Sequence, residues 1–304
     1  MATVDGRRQR YRATPASTTS TPGRRASGTR PTTWVLSAAG AMVLAAALVR
    51  LTQLVPAWIE AAPAGTAPAR GRPPAVATAS PRARPRPALV ERRLVIGRSV
   101  DGRSIFAFER GSPGSERPVL VIGAVHGNEA AGVAIADALL SRPPASRVDL
   151  WVVPDLNPDG VAADTRQNAD GVDLNRNFPY AWTRLGRRGD QQYSGPAPLS
   201  EPESRAAASL ISRLRPQVTI WFHQPLDVVD DSGGDIAVER RFARLVRLPL
   251  VRLRRYPGSA ASWQDHELRT STAFVVELPP RLTAGDVGRF VGAVMQLAEE
   301  QPAR

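Results

Sequence analysis

The sequence contains no cysteine and no lysine, and it has only three histidines among 304 residues. The absence of cysteine excludes disulfides, thiolate metal sites and a cysteine nucleophile. It does not decide the compartment, because exported proteins can also lack disulfides. All 40 basic residues are arginines, a bias that indicates genome composition more than a function.

The positive charge of the chain raises the question of a nucleic-acid partner. The formal net charge is +12, but the arginines are concentrated in the N-terminal third. They do not alternate with aromatic residues in a recognisable nucleic-acid-binding motif. We therefore expect no nucleic-acid partner, and the charge instead favours attraction to an acidic envelope or membrane surface.

The N-terminal 91 residues divide into three segments that are not globular. Residues 1–30 are polar and basic, which predicts a disordered cytoplasmic tail. Residues 31–55 contain an uncharged run just long enough, at about 1.5 Å per helical residue, to cross a bilayer. This predicts a single-pass membrane anchor with the following chain outside, and the alternative is a cleaved signal sequence on a secreted protein. Residues 56–91, rich in proline, alanine and arginine, predict an extended linker.

Residues 92–304 have the composition of a globular α/β domain. Asp101-Gly102 predicts a hairpin, and Ser200 is the expected N-cap of one helix. Apolar strands alternate with amphipathic helices, which predicts a mixed, mostly parallel sheet with helices on both faces. The predicted strands are 94–96, 105–108, 119–125, 150–153, 218–222, 250–253 and 273–278. The predicted helices are 129–140, 201–214, 238–247 and 287–299.

His126 and His223 each follow a predicted buried strand, at the sheet edge where open α/β folds place ligand sites. Glu129 lies three residues after His126 across a turn, so both side chains can point at one ion. Two histidines and one glutamate match a known ligand set of hydrolytic zinc, which keeps a further position for water. These residues predict one Zn²⁺ ion, although hydrogen-bonded structural histidines are the alternative. His266 lies in a polar stretch and is expected near the surface.

Two further groups of polar residues are candidates for chemistry. Glu277 ends an apolar strand, where a carboxylate is costly unless it has a task or a partner. It is therefore either a general base or part of a buried salt bridge. Arg166 and Arg176 can each offer forked donors to a carboxylate or an oxyanion, and Asn175 adds an amide donor. The alternative is a turn-rich loop with solvated arginines.

Four separated motifs resemble the zinc carboxypeptidase (funnelin) family, in the order in which that family has them. They are HGNE at 126–129, VDLNRNFP at 172–179, the later His223, and FVVEL around Glu277. The resemblance extends over residues 94–299, and the short domain is most similar to the bacterial murein peptide amidase A branch. It implies that residues 92–304 form a zinc carboxypeptidase-like catalytic domain.

The resemblance also implies roles for individual residues. His126, Glu129 and His223 would bind zinc. Glu277 would act as general base and acid, and Arg166 would stabilise the oxyanion. Asn175 and Arg176 would hold the α-carboxylate of the substrate. Tyr256 is the candidate for the tyrosine that closes over the bound terminus in family members.

The expected activity is zinc-dependent hydrolysis of the C-terminal amide bond of a peptide with a free carboxylate. The expected substrate is a cell-wall murein peptide of the γ-D-glutamyl-diaminopimelate type. Arg254, Arg255, Asp265 and Glu267 are candidates to meet the amine and carboxylate on such a terminal residue. The alternatives are an N-acyl amino acid deacylase or amidohydrolase, and a non-catalytic, membrane-tethered peptide-binding module.

Overall fold

The computed structural model of the chain describes residues 88–113, 117–146 and 148–300. The predicted tail, the predicted membrane segment and nearly all of the linker lie outside these ranges. Among the described residues, no helix combines the length and apolar character needed to cross a bilayer. The first strand begins at Val90, two residues before the predicted start of the globular domain.

The described residues form one sheet of eight strands. The strands are β1 Val90–Arg98, β2 Ser104–Gly111, β3 Val119–Ile122, β4 Asp149–Val153, β5 Val218–His223, β6 Val228–Asp230, β7 Leu250–Val251 and β8 Thr272–Glu277. Their order in the sheet is β1-β2-β4-β3-β5-β8-β6-β7. The central pairs β4-β3, β3-β5 and β5-β8 are parallel, whereas β1-β2, β2-β4 and β6-β8 are antiparallel. This confirms the mixed, mostly parallel sheet.

Helices cover both faces of the sheet. The helices are α1 Ala131–Leu140, α2 Pro158–Ala163, α3 Pro202–Leu214, α4 Ile236–Val246, α5 Ala260–Glu267 and α6 Ala284–Glu300. Val119 and Val121 of β3 pack into one apolar cluster, with α1, α4 and α6. Leu120 and Ile122 pack into the other, with α3 and α5. Because both faces of β3 are buried, its sequence is continuously apolar.

The structure corrects several predicted boundaries. Helix α3 begins at Pro202 with Glu201 as N-cap, so the assignment of Ser200 as N-cap was wrong. The hydroxyl of Ser200 instead donates to the Glu201 carboxylate at 2.6 Å, and proline suits the first helical position because its φ is already helical. Strand β3 ends at Ile122 and α1 begins at Ala131, which leaves residues 123–130 as a loop.

Candidate active site

The site lies where β3, β5 and β8 end at the same edge of the sheet. His223 is the last residue of β5 and Glu277 the last residue of β8, and the two are direct partners in the parallel register. His126 follows β3 by four residues, on the loop that leads to α1. Because the carboxyl ends of parallel strands meet at one edge, residues far apart in sequence come together there.

The three predicted metal ligands converge on one point. Glu129 Oε2 lies 2.8 Å from His126 Nδ1 and 3.0 Å from His223 Nδ1, and the two imidazole nitrogens are 3.2 Å apart. Zinc bonds of about 2.0–2.2 Å at tetrahedral angles would place ligand atoms about 3.3–3.6 Å apart, so small outward shifts of these side chains would admit the ion. The donor set therefore fits one zinc ion with a fourth position open. Among the described residues, this is the one such cluster of potential metal ligands.

Asp173, which was not among the predicted site residues, supports the metal site from behind. Its Oδ1 lies 3.0 Å from the other ring nitrogen of His126, and its side chain is completely buried. A carboxylate in this position fixes the orientation and tautomer of a metal-binding imidazole. The sequence signal was the polar segment around Asn175 and Arg176, but nothing in it pointed to His126.

The charges of this cluster are mutually dependent. Burial alone would lower the pKa of His126, but attraction to Asp173 and Glu129 outweighs it and raises the pKa. Burial would likewise raise the pKa of Glu129 and of Asp173, but His126 holds both pKa values well below the usual range. Both carboxylates are therefore ionised at neutral pH, which is the state that a divalent cation requires of its ligands.

Arg166 bridges the two carboxylates of the metal site. Its Nη1 donates to Glu129 Oε1 at 2.8 Å, and Nε and Nη2 donate to Asp173 Oδ2 at 3.1 and 3.0 Å. The predicted loop of solvated arginines is thus not what the structure contains at this position. Among the described residues, two of the five N–H groups of this guanidinium have no partner, so they can donate to a ligand at the metal site. The predicted role at the oxyanion stays a prediction.

Glu277 carries a carboxylate that the fold does not fully satisfy. The backbone N–H of Leu226 bonds to it, whereas Oε2 is buried without a hydrogen-bond partner among the described residues. Burial raises its pKa, and the negative charge of Glu129 adds to the effect. No salt bridge to Glu277 occurs in the described part of the chain, so the geometry favours a reactive carboxylate over a structural ion pair.

Arg176 is a buried cation with no carboxylate partner in the described ranges. It is only 5% exposed, its Nη1 donates to Asn175 O at 2.8 Å, and its buried Nε has no partner. The guanidinium lies 4.2 Å from the ring centre of Tyr256. Burial lowers the pKa of Arg176. Because an unpaired buried charge is costly, this arrangement is typical of a site that an anionic ligand completes.

One open pocket of about 540 Å³ brings together the predicted metal, catalytic and carboxylate-binding residues, whereas Asp265 and Glu267 lie outside its lining. His266 lies outside its lining and stacks on Tyr180, with ring centres 4.2 Å apart. The expectation that His266 is not a ligand is therefore consistent with the structure. The predicted residues that line the pocket are His126, Glu129, Arg166, Asn175, Arg176, His223, Tyr256 and Glu277.

Comparison with known proteins gives a consistent set of relatives. Residues 83–229 match the zinc carboxypeptidase family. Murein peptide amidase A of Escherichia coli (strain K12) is 35% identical over 220 residues, which cover 68% of this chain and 89% of that protein. The same protein of Vibrio campbellii is 32% identical over 220 residues, with 68% and 87% covered.

Solved structures agree with these sequence relatives. The crystal structure of murein-tripeptide amidase from Escherichia coli O157 has a TM-score of 0.59 at 30% identity, covering 72% of this chain and 96% of that one. Carboxypeptidase A from Helicoverpa armigera has a TM-score of 0.56 at 18% identity, covering 70% and 69%. At that identity the second likeness concerns the fold alone.

Proposed function

Because the chain belongs to the zinc carboxypeptidase family and is a zinc-dependent hydrolase, we propose that it removes the C-terminal residue from a murein peptide. The bond cleaved is the amide that precedes a terminal residue with a free α-carboxylate. The observation that carries this proposal is Arg176, a buried cation in the same pocket as the metal ligands that forms no salt bridge with any described residue. The names of the relatives support murein peptides as the substrate class.

The predicted metal ligands and Glu277 each have a task in this reaction. Zinc, when bound by His126, Glu129 and His223, supplies a Lewis acid and lowers the pKa of a water molecule. Glu277 would accept a proton from the attacking water and return it to the leaving nitrogen. This requires a carboxylate that is not held in a salt bridge, and no salt bridge to Glu277 occurs among the described residues.

Asn175 and Arg176 orient the substrate by its terminus. The Asn175 side-chain oxygen accepts from the Ala260 backbone N–H at 2.9 Å, which directs its amide nitrogen toward His223 Nε2 at 3.4 Å. The amide and the guanidinium thus line the same side of the pocket as donors. Holding the α-carboxylate there would place the last amide bond over the metal, and such positioning contributes strongly to the rate.

We further propose that the chain acts outside the cytoplasmic membrane. The support is the uncharged run within residues 31–55 and the preceding basic segment. Cell fractionation with an antibody against the C-terminal domain tests this, together with protease treatment of intact spheroplasts. Protection of the domain in intact spheroplasts would contradict the proposed location.

The substrate proposal is tested by mass spectrometry of muropeptides after incubation with the full chain. We expect the wild type to release the terminal residue, and Glu277→Gln to lose at least about 10³-fold in rate while retaining one equivalent of zinc. Glu299→Gln, at an exposed position on α6 outside the pocket, is the control for loss of one carboxylate. If the wild type leaves every muropeptide intact, the murein assignment fails; if Glu277→Gln remains active, the general-base role fails.

A further inference from the structure

Besides Arg166 and Arg176, the pocket is lined by Arg254 and Arg255, which have no role in the reaction described above. Arg255 lies on the irregular segment between β7 and α5, and it lines the active-site pocket. It also lines an adjoining cavity of about 570 Å³, whose wall includes Tyr180, Tyr256 and Arg269. The side chain is 39% exposed. Arg255 therefore stands between the two cavities, with part of its guanidinium facing solvent.

A buried carboxylate fixes this arginine. Asp230, the last residue of β6, accepts from Arg255 Nη1 at 2.6 Å, and its side chain is only 6% exposed. The Ser232 hydroxyl and the Leu253 backbone N–H donate to the same carboxylate, each at 2.8 Å. The carboxylate thus already accepts three hydrogen bonds, of about four that it can accept, so it holds the arginine and has little capacity left for a ligand.

Arg255 itself keeps unused donors. Nη1 donates to Asp230 and Nη2 to the backbone oxygen of Asp231, which leaves three of its five N–H groups free for a ligand. A guanidinium held in one orientation loses less entropy when it binds a planar anion than a free side chain does. Asp230 therefore positions Arg255, and the remaining donors of Arg255 can bind a carboxylate.

The neighbouring Arg254 lacks this arrangement. It is exposed, and its one described contact is with the ring of Tyr256, at 5.2 Å from the centroid. Under the proposed function, the donors of Arg176 bind the α-carboxylate of the substrate, so this arginine is already assigned. Carboxylates hold both Arg166 and Arg255, but Arg166 lies at the metal site, so Arg255 is the anchored arginine of the pocket that has no role in the reaction described above.

We propose that Arg255, held by Asp230, is a specificity-determining residue that binds a second carboxylate, carried on the side chain of the terminal residue. Asp230 acts as a positioning residue and does not touch the substrate. This inference rests on the proposed function, because it concerns the residue released by the same site. It assigns the preferred terminal residues by chemistry: those with an acidic group at the end of a side chain.

The test compares terminal residues that differ only in side-chain charge. The peptides are L-alanyl-γ-D-glutamyl-X, where X is diaminopimelate, 2-aminopimelate, lysine or norleucine. The first two carry a second carboxylate, and the last two do not. We expect the wild type to prefer the first two, and Arg255→Gln to lower kcat/KM for them by about 10- to 100-fold. For lysine and norleucine we expect changes below about threefold.

Arg188→Gln is the control, because it removes the same charge from a side chain that is 70% exposed and lies outside the lining of the pocket. We expect it to change kcat/KM for all four peptides by less than about threefold. Equal losses for all four peptides in Arg255→Gln, or a selective loss in Arg188→Gln, would overturn the proposal. A wild type that cleaves all four peptides equally well would also overturn it, while leaving the peptidase assignment intact. A wild type that cleaves none would refute the proposed function itself.

Asp230→Asn separates positioning from general stability. If Asp230 acts through Arg255, we expect the same selective loss, carried mainly by KM, and no further loss in the double variant with Arg255→Gln. Additive losses, or a loss that affects lysine and norleucine equally, would show that Asp230 serves the fold instead.

Discussion

Arg176→Gln is the most direct perturbation of the proposed substrate site. It removes the guanidinium charge and keeps a polar side chain that is shorter by two atoms. The wild-type residue is buried, has no carboxylate partner in the described ranges and has a free Nε. If its partner is the terminal carboxylate of the substrate, its removal affects peptides that have that carboxylate and spares those that lack it.

The size of the effect follows from the interaction that is lost. A hydrogen bond between charged groups in a buried site contributes about 1.5–3 kcal/mol, which corresponds to about 10- to 150-fold in kcat/KM. The assay measures kcat/KM for one murein tripeptide with a free C-terminus and for its C-terminal amide. We expect the wild type to favour the free acid by this factor, and Arg176→Gln to remove the preference by slowing the free acid.

Arg188→Gln is the control for the loss of one positive charge. Its side chain is 70% exposed and pairs with Asp170, so we expect no change in the preference. If Arg176→Gln slows both peptides equally, or slows neither, Arg176 does not bind the terminal carboxylate and the reasoning is wrong. Thermal unfolding provides a further check: because an unpaired buried charge is costly to the fold, we expect the Arg176→Gln variant to unfold at the same temperature as the wild type or higher.

Three other predictions concern the metal site and the fold. Asp173→Asn should weaken zinc binding by about 10- to 100-fold, measured by competition with a chromogenic chelator; unchanged affinity would refute its supporting role. Burial raises the pKa of Asp265 to about 7, so the folded state holds this proton up to higher pH than the unfolded state, and the group costs stability as pH rises from about 4 to 7. Asp265→Asn should therefore raise the free energy of unfolding more at pH 8 than at pH 5 in urea titrations, and an equal change at both would contradict this. In Gly132→Ala, the new Cβ would lie 1.9 Å from the Gly123 carbonyl oxygen, so we expect a loss of more than about 2 kcal/mol; Gly288→Ala, with open space around the Cβ, is the control.

The residues that could be predicted from the sequence share one property: they follow conspicuous apolar strands. His126, His223 and Glu277 were found in this way, and parallel pairing brings such strand ends together without any knowledge of the loops. Local sequence was a poorer guide to the ends of helices. Both Ser200 and Glu201 precede α3, but the helix begins at Pro202, which makes Glu201 the N-cap.

Contacts across long sequence separations were not accessible in the same way. Asp173 and His126 are 47 residues apart, and no periodicity connects a polar loop with a particular histidine. The same holds for the bonds of Arg166 to Glu129 and Asp173, which depend on how the loop folds back over the sheet edge. The short elements β6 and α5 were missed because three residues, or a helix rich in polar residues, carry no clear periodic signal.

The pairing of His223 with Glu277 in the sheet register has a consequence for how such an enzyme can change. Neighbouring strands lie about 4.8 Å apart, so the spacing between the metal site and the base is a property of the sheet itself. Arg255 and Tyr256, by contrast, lie on a segment without regular structure. Substitutions there can therefore change the proposed selectivity for the terminal residue without altering the spacing between His223 and Glu277.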